Sequence, residues 1–150
     1  MKGKWRKGVF IVLYSLEGGN STYLLLKRKL HWIGWEFPKG KIEKFETKKT
    51  AAKREAKEET GLTAFNIKKH SYRGKYLYKK KLKDRPGLIG QTFTLYSGEV
   101  KGIKKKIKLD SKEHSSSKRA DYKGALKTLT YKNQKRSLKI VNDWLVSKLK

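Results

Sequence analysis

One internal helix signal interrupts a chain that otherwise reads as strands until its last sixteen residues, and that order admits few folds. Lys48 to Thr60 carries Ala51, Ala52 and Ala56, with Thr47 placed to cap its start and Gly61 to end it. Before it, Gly8 to Ser15 and Ser21 to Arg28 are short apolar segments joined by Glu17-Gly18-Gly19-Asn20, which predicts a β-hairpin. Leu30 to Gly40 holds three aromatics, two Gly and a Pro, and is expected to be irregular. Beyond the helix, residues 63–82 alternate weakly around Tyr72, Tyr76 and Tyr78, Asp84-Arg85-Pro86-Gly87 signals a turn, and Gln91 to Val100 alternates as a strand. From Lys135 onward, Leu138, Val141, Leu145 and Leu149 recur at i, i+3, i+7 and i+11, the mark of an amphipathic closing helix. These elements predict one α/β layered domain over residues 1–150.

Charge is the next constraint. Forty Lys and Arg against 13 Asp and Glu give a net +27, with lysine runs at 79–81 and 104–106. A field of this sign gathers phosphates, so a polyanionic substrate or partner is expected, RNA among them through the basic surface. A lysine-rich, heat-adapted surface is the alternative that charge alone leaves open. The absence of Cys excludes disulfides, zinc-thiolate sites and thiol nucleophiles. The longest apolar run, Val9 to Tyr14, is six residues, too short to cross a membrane. The basic N-terminus is not followed by an apolar stretch of signal-peptide length, so a cytoplasmic location is expected.

Acidic residues are scarce, which makes their placement informative. Glu36, Glu43, Glu46, Glu55, Glu58 and Glu59 put six of the thirteen into 24 residues. Glu55, Glu58 and Glu59, at i, i+3 and i+4, share one helical face and repel one another. They also stand in the last turns before Gly61, where the helix dipole disfavours carboxylates. A hard divalent cation, Mg²⁺ or Mn²⁺, resolves both conflicts by taking carboxylate oxygens. On spacing alone, a solvated glutamate face paired with Lys53, Arg54 and Lys57 explains the pattern equally well.

The wider spacing separates these readings. From Gly40 the chain runs five residues to Glu46, seven more to Arg54, then Arg54-Glu55-Ala56-Lys57-Glu58-Glu59-Thr60-Gly61-Leu62. This resembles the Nudix box, G-x5-E-x7-R-E-U-x-E-E-x-G-U, over residues 40–62, with Ala56 a small residue where the family often has Ile, Leu or Val. The resemblance implies the Nudix fold, a mixed β-sheet sandwiched between helices. It also implies hydrolysis of a nucleoside diphosphate linked to another moiety. By the same resemblance Glu55, Glu58 and Glu59 are metal ligands for Mg²⁺ or Mn²⁺, and Arg54 pairs with Glu46. Gly40 lets the backbone turn tightly, and Gly61 closes the helix. Water attacks phosphorus, and a carboxylate takes its proton: Glu58, Glu59, or an acid outside the box, for which Glu99 at the end of its strand is the candidate.

The flanks narrow the resemblance. Trp35-Glu36-Phe37-Pro38-Lys39-Gly40 is similar to the W-x-x-P-K-G run of the diadenosine tetraphosphate (Ap4A) hydrolase branch. Tyr78, Glu113-His114, Ala125-Leu126 and Leu129-Thr130-Tyr131 extend the likeness, so that it runs from about residue 9 to 145. Ser117 and Arg119 depart from it, standing where relatives often carry Tyr and Trp. The implied substrate contacts are Lys39, on phosphate, and Tyr78; His114 touches phosphate or is an ordinary loop histidine, and Tyr131 stacks on an adenine or faces the core. Trp32 and Trp35 either line the cleft or pack beneath it, and His31 reads as a loop histidine. The expected reaction is asymmetric cleavage of Ap4A to ATP and AMP. An RNA 5′-end pyrophosphohydrolase, a hydrolase of oxidised dNTPs and a non-catalytic nucleic-acid-binding Nudix module are the alternatives.

Overall fold

The computed structural model describes residues 3–101, 103 and 107–149; the lysine run 104–106 lies outside them. The elements in chain order are β1 (Lys4–Glu17), β2 (Asn20–Arg28), β3 (Gly34–Glu36), β4 (Lys39–Lys41), α1 (Lys48–Thr60), β5 (Phe65–Leu77), β6 (Leu88–Glu99), β7 (His114–Ala120), α2 (Tyr122–Thr128) and α3 (Lys132–Leu149). The strands form one mixed sheet in the order β3-β2-β1-β6-β5, with β4 paired to β1 and β7 to β2. Only the β1–β6 pairing is parallel among those described.

β1 organises the molecule because both of its faces are covered. Phe10, Val12 and Tyr14 turn to one side and join Phe93, Leu95, Leu138, Val141 and Leu145 beneath α2 and α3. Val9, Ile11 and Leu13 turn to the other and meet Ala51, Ala52 and Ala56 of α1. A strand buried on both faces reads as an unbroken apolar run, which explains Val9 to Tyr14. Ala56, the soft departure from the box pattern, is fully buried where α1 lies on the sheet. The result is the expected α/β/α sandwich.

Several local expectations change. The stretch read as irregular, Leu30 to Gly40, contains β3 and β4, three residues each. Its Pro and Gly obscured strands too short to show an alternation. β7 and α2 are further elements that carry no strong periodic signal in the sequence. The closing helix starts at Lys132, and its apolar stripe ends at Leu145, since Leu149 is 47% exposed. α1 has the predicted ends: Thr47 accepts from the Thr50 N–H, and Gly61 is left-handed at φ 79°.

Candidate active site

The site is assembled where α1 crosses β4. Gly40 pairs with Val9 in the extended β4, so the tight turn expected at Gly40 is not what it provides. A side chain there would drive its Cβ to 2.1 Å from the Glu55 carboxyl carbon. Gly40 instead leaves a seat for that carboxylate. Glu55 and Glu59 are both buried, while Glu58 stands at the rim with its side chain 55% exposed.

Arg54 ties the helix to the preceding loop. Its Nε and Nη2 donate to the two Glu46 oxygens at 2.7 and 2.9 Å, and Nη2 also donates to the Lys41 carbonyl. Nη1 donates to Glu55 at 2.8 Å and to Glu58 at 3.2 Å. The bond from Arg54 holds Glu46 below its ordinary range. Burial has the opposite effect on the inward pair. It pushes Glu55 up to about 7, and it raises Glu59 well above the usual range with help from the charges of Glu55 and Glu113.

A second layer of charge lies beneath. Glu36 is fully buried, yet held down at about 2 against the cost of burial. Lys39 at 3.3 Å, His114 Nε2 at 3.1 Å and Arg28 Nη1 at 3.2 Å stabilise its charge. His114 was expected to touch phosphate; at 1% exposure and bonded to Glu36 it is a buried partner of that carboxylate instead. Glu59, Glu113 and His114 place ligand atoms within 4.8 Å of one another. Oε1 of Glu59 and Nδ1 of His114 are buried without a hydrogen-bond partner. Raised carboxyls, an unpartnered buried oxygen and a converging acid fit a divalent cation.

Glu99 is not among them. The Glu59 carboxylate accepts from the Lys39 N–H, and Lys39 pairs with Phe10, which stands level with Leu95 of β6. Glu99 is four residues further along β6, about 13 Å away at the rise of a strand, and there it accepts from Asn66. Glu113 stands in the position expected of Glu99. Its signal in the sequence is its rarity as an acid together with its place beside His114, which marks a likeness to relatives without placing it near the helix.

Beside the carboxylates opens a cavity of about 470 Å³, lined by Trp32, Lys39, Tyr76, Tyr78, Lys79 and Tyr131 among others. The Lys39 ammonium lies 4.4 Å from the Trp32 ring centre and 4.9 Å from that of Tyr76. Trp32, Lys39 and Tyr76 also line a narrow cleft that reaches Glu55 and Glu113, so the cavity and the carboxylates share a wall. Tyr78 accepts from Arg85 at 2.9 Å, and His31 stands in the loop between β2 and β3, as expected, lining the cavity with Nε2 2.9 Å from Asp84. Trp35 packs on the core, and its N–H donates to Thr130. That bond anchors the loop carrying Tyr131 against β3.

These carboxyls make stability depend on pH. A carboxyl raised on folding binds its proton more tightly in the native state, so stability is lost as pH rises from its unfolded value towards its folded one. For Glu55 that window runs from about 4.5 to about 7. Among the groups that act in the opposite sense are Glu36, below pH 4.5, and His70, which burial holds down to about 4 and which therefore gains stability as pH rises towards 6.5. The carboxyl contribution is read by difference: in a chelator, the Tm of the wild type relative to that of Glu55→Gln is expected to fall between pH 5 and pH 7.5, and Mg²⁺ should restore the wild type at pH 7.5. A wild-type Tm that does not fall relative to the variant contradicts the burial described.

A layered α/β fold with a carboxylate-rich helix end facing a cationic, aromatic cavity defines a class of phosphate-chemistry proteins. The NUDIX domain family matches residues 4–139, and the chain belongs to that family. It is a Nudix pyrophosphohydrolase acting on nucleoside polyphosphates. No curated protein sequence matches it. Among solved structures it is similar to a Caenorhabditis elegans Ap4A hydrolase binary complex, at 22% identity and TM-score 0.72, covering 95% of this chain and 98% of that one. It is also similar to the Escherichia coli dihydroneopterin triphosphate pyrophosphohydrolase, at 18% identity and TM-score 0.68, covering 92% and 98%. The NUDIX domain of Shewanella oneidensis NrtR complexed with ADP ribose gives 15% identity and TM-score 0.74, covering 97% and 90%.

Proposed function

We propose that the protein is a cytoplasmic dinucleoside-polyphosphate hydrolase that cleaves Ap4A asymmetrically to ATP and AMP. The observation that carries this reading is the shared wall at Lys39: an aromatic cavity opens directly onto the carboxylate cleft. A base fits between aromatic faces, and a polyphosphate running from it to the glutamates passes the Lys39 ammonium. The Ap4A hydrolase among the structural relatives agrees with this reading.

In it, Glu55, Glu58, Glu59 and Glu113 hold Mg²⁺ or Mn²⁺, which when bound neutralises phosphate oxygens and acidifies a water. Arg54 keeps Glu55 and Glu58 turned towards the cleft. The carboxylates take the proton from the attacking water, and Glu58, open at the rim, can pass it to solvent. Tyr78 and Tyr131 flank the base. Lys39 neutralises phosphates beyond those next to the glutamates, and Glu36 keeps its ammonium in place.

The test is a panel of Ap4A, ADP-ribose, oxidised dGTP and 5′-triphosphorylated RNA, each with Mg²⁺. Ap4A should give the highest kcat/KM, and Lys39→Gln should lower it on the order of 10-fold on Ap4A with less change on ADP-ribose. Equal losses on both would make Lys39 a general element of the loop. A preference of the wild type for triphosphorylated RNA overturns the Ap4A reading.

A further inference from the structure

The sheet face on the α1 side is only partly covered. α1 lies over Val9, Ile11 and Leu13, but the sheet continues past it towards the start of β1 and the edge strand β5. The register Lys7–Thr92–Lys75 places two exposed lysines in one row across β1, β6 and β5. The adjacent row, Val9–Thr94–Arg73, ends in an exposed arginine, and Lys69, opposite Tyr96, continues the line on the same face. Successive side chains on one face of a strand are about 7 Å apart, so Arg73 and Lys75 form a ladder of charge.

At the end of this ladder lies Trp5. It pairs with Gly90, where a Cβ would come within 2.6 Å of the indole ring, so the ring rests on bare backbone. The Lys75 ammonium stands 4.8 Å from its centre. Edge strands commonly carry lysine to prevent pairing with other chains, which accounts for β5 and for Lys7. Among the described residues, the end of β1 at residues 4–7 pairs with β6 on one side and on the other only receives the Ile42 N–H at the Lys7 carbonyl. It does not account for an aromatic, the half-buried Trp5, on that same end. Tyr76, which lines the substrate cavity, projects from the opposite face, since it alternates with Lys75.

We infer that this open face binds single-stranded RNA. Lys7, Arg73 and Lys75 contact consecutive phosphates, and Trp5 stacks on an unpaired base. Aromatic platforms beside basic side chains are the means by which single strands are held without sequence preference, because every base offers a π-face. The bound strand is a partner and not the substrate, so the inference does not depend on which nucleotide is cleaved.

The experiment uses the full chain and a fluorescent RNA 20-mer with a 5′-hydroxyl end, titrated over a range of salt. The wild type should bind, with log K falling linearly in log salt. The triple variant Lys7→Gln, Arg73→Gln, Lys75→Gln should bind at least 10-fold more weakly, and its salt slope should shrink by about 2, for three lost phosphate contacts. Trp5→Ala should weaken binding with the slope unchanged, the signature of lost stacking. Both variants should keep wild-type Mg²⁺-dependent nucleotide hydrolysis, which also reports that they fold. Unchanged affinity and slope in the triple variant would overturn the proposal. So would equal affinity for duplex RNA together with no effect of Trp5→Ala, since the other basic residues would then suffice.

Discussion

Glu59→Gln is expected to lower kcat by about 10²-fold or more while leaving the fold intact. The Glu59 carboxyl is buried against the backbone of Lys39 and surrounded by Glu55, Glu113 and Glu36, which all oppose its charge. An amide keeps an oxygen to accept from the Lys39 N–H and removes the repulsion, so the metal-free variant should melt no lower than the wild type at pH 7.5. It cannot replace an anionic oxygen towards a divalent cation. Turnover and the rise in Tm on adding Mg²⁺ should therefore fall together. Near-wild-type turnover with a full Mg²⁺-induced rise would remove Glu59 from the cation site.

Arg54→Ala should cost both stability and rate. The guanidinium makes five hydrogen bonds, to Glu46, Glu55, Glu58 and the Lys41 carbonyl. Its loss leaves three carboxylates without their shared counter-charge. Losing one partner of a buried pair costs roughly 3–5 kcal/mol; with the Arg54 side chain 24% exposed, about 2–3 kcal/mol is the sounder expectation. For a domain of this size that lowers Tm by roughly 5–10 °C. Arg54→Lys should recover part of the loss, because charge returns without the two-pronged geometry. An Arg54→Ala protein that melts normally would show that the Glu46 pairing is not structural.

The parts of this molecule legible in the sequence were those with a repeating physical signal. The caps of α1 were visible because Thr47 and Gly61 are the residue types that helix ends require. The box glutamates stood out because acids are rare in this chain and these break local rules. Glu36, Glu113 and Arg28 were less visible as a set, because their proximity is made by strand pairing. β7 brings His114 opposite Arg28, a contact across more than eighty residues that no local window registers. The same cause explains His114: the resemblance implies a phosphate contact, whereas its neighbour in space is Glu36. Glu99 failed in the opposite way. Its place at a strand end was read correctly, but the register carries that end away from Gly40.

The aromatic cavity and the carboxylate cluster are written in different stretches of chain. The box occupies residues 40–62, whereas the cavity wall comes from residues 31–39, 76–82 and 131–133. Bond cleavage and nucleotide choice can therefore change independently. On the proposed reading, a substitution at Tyr78 or Tyr131 would alter which base is held without moving Glu55 or Glu59, so one reaction centre would serve many nucleotides by exchanging a few wall residues.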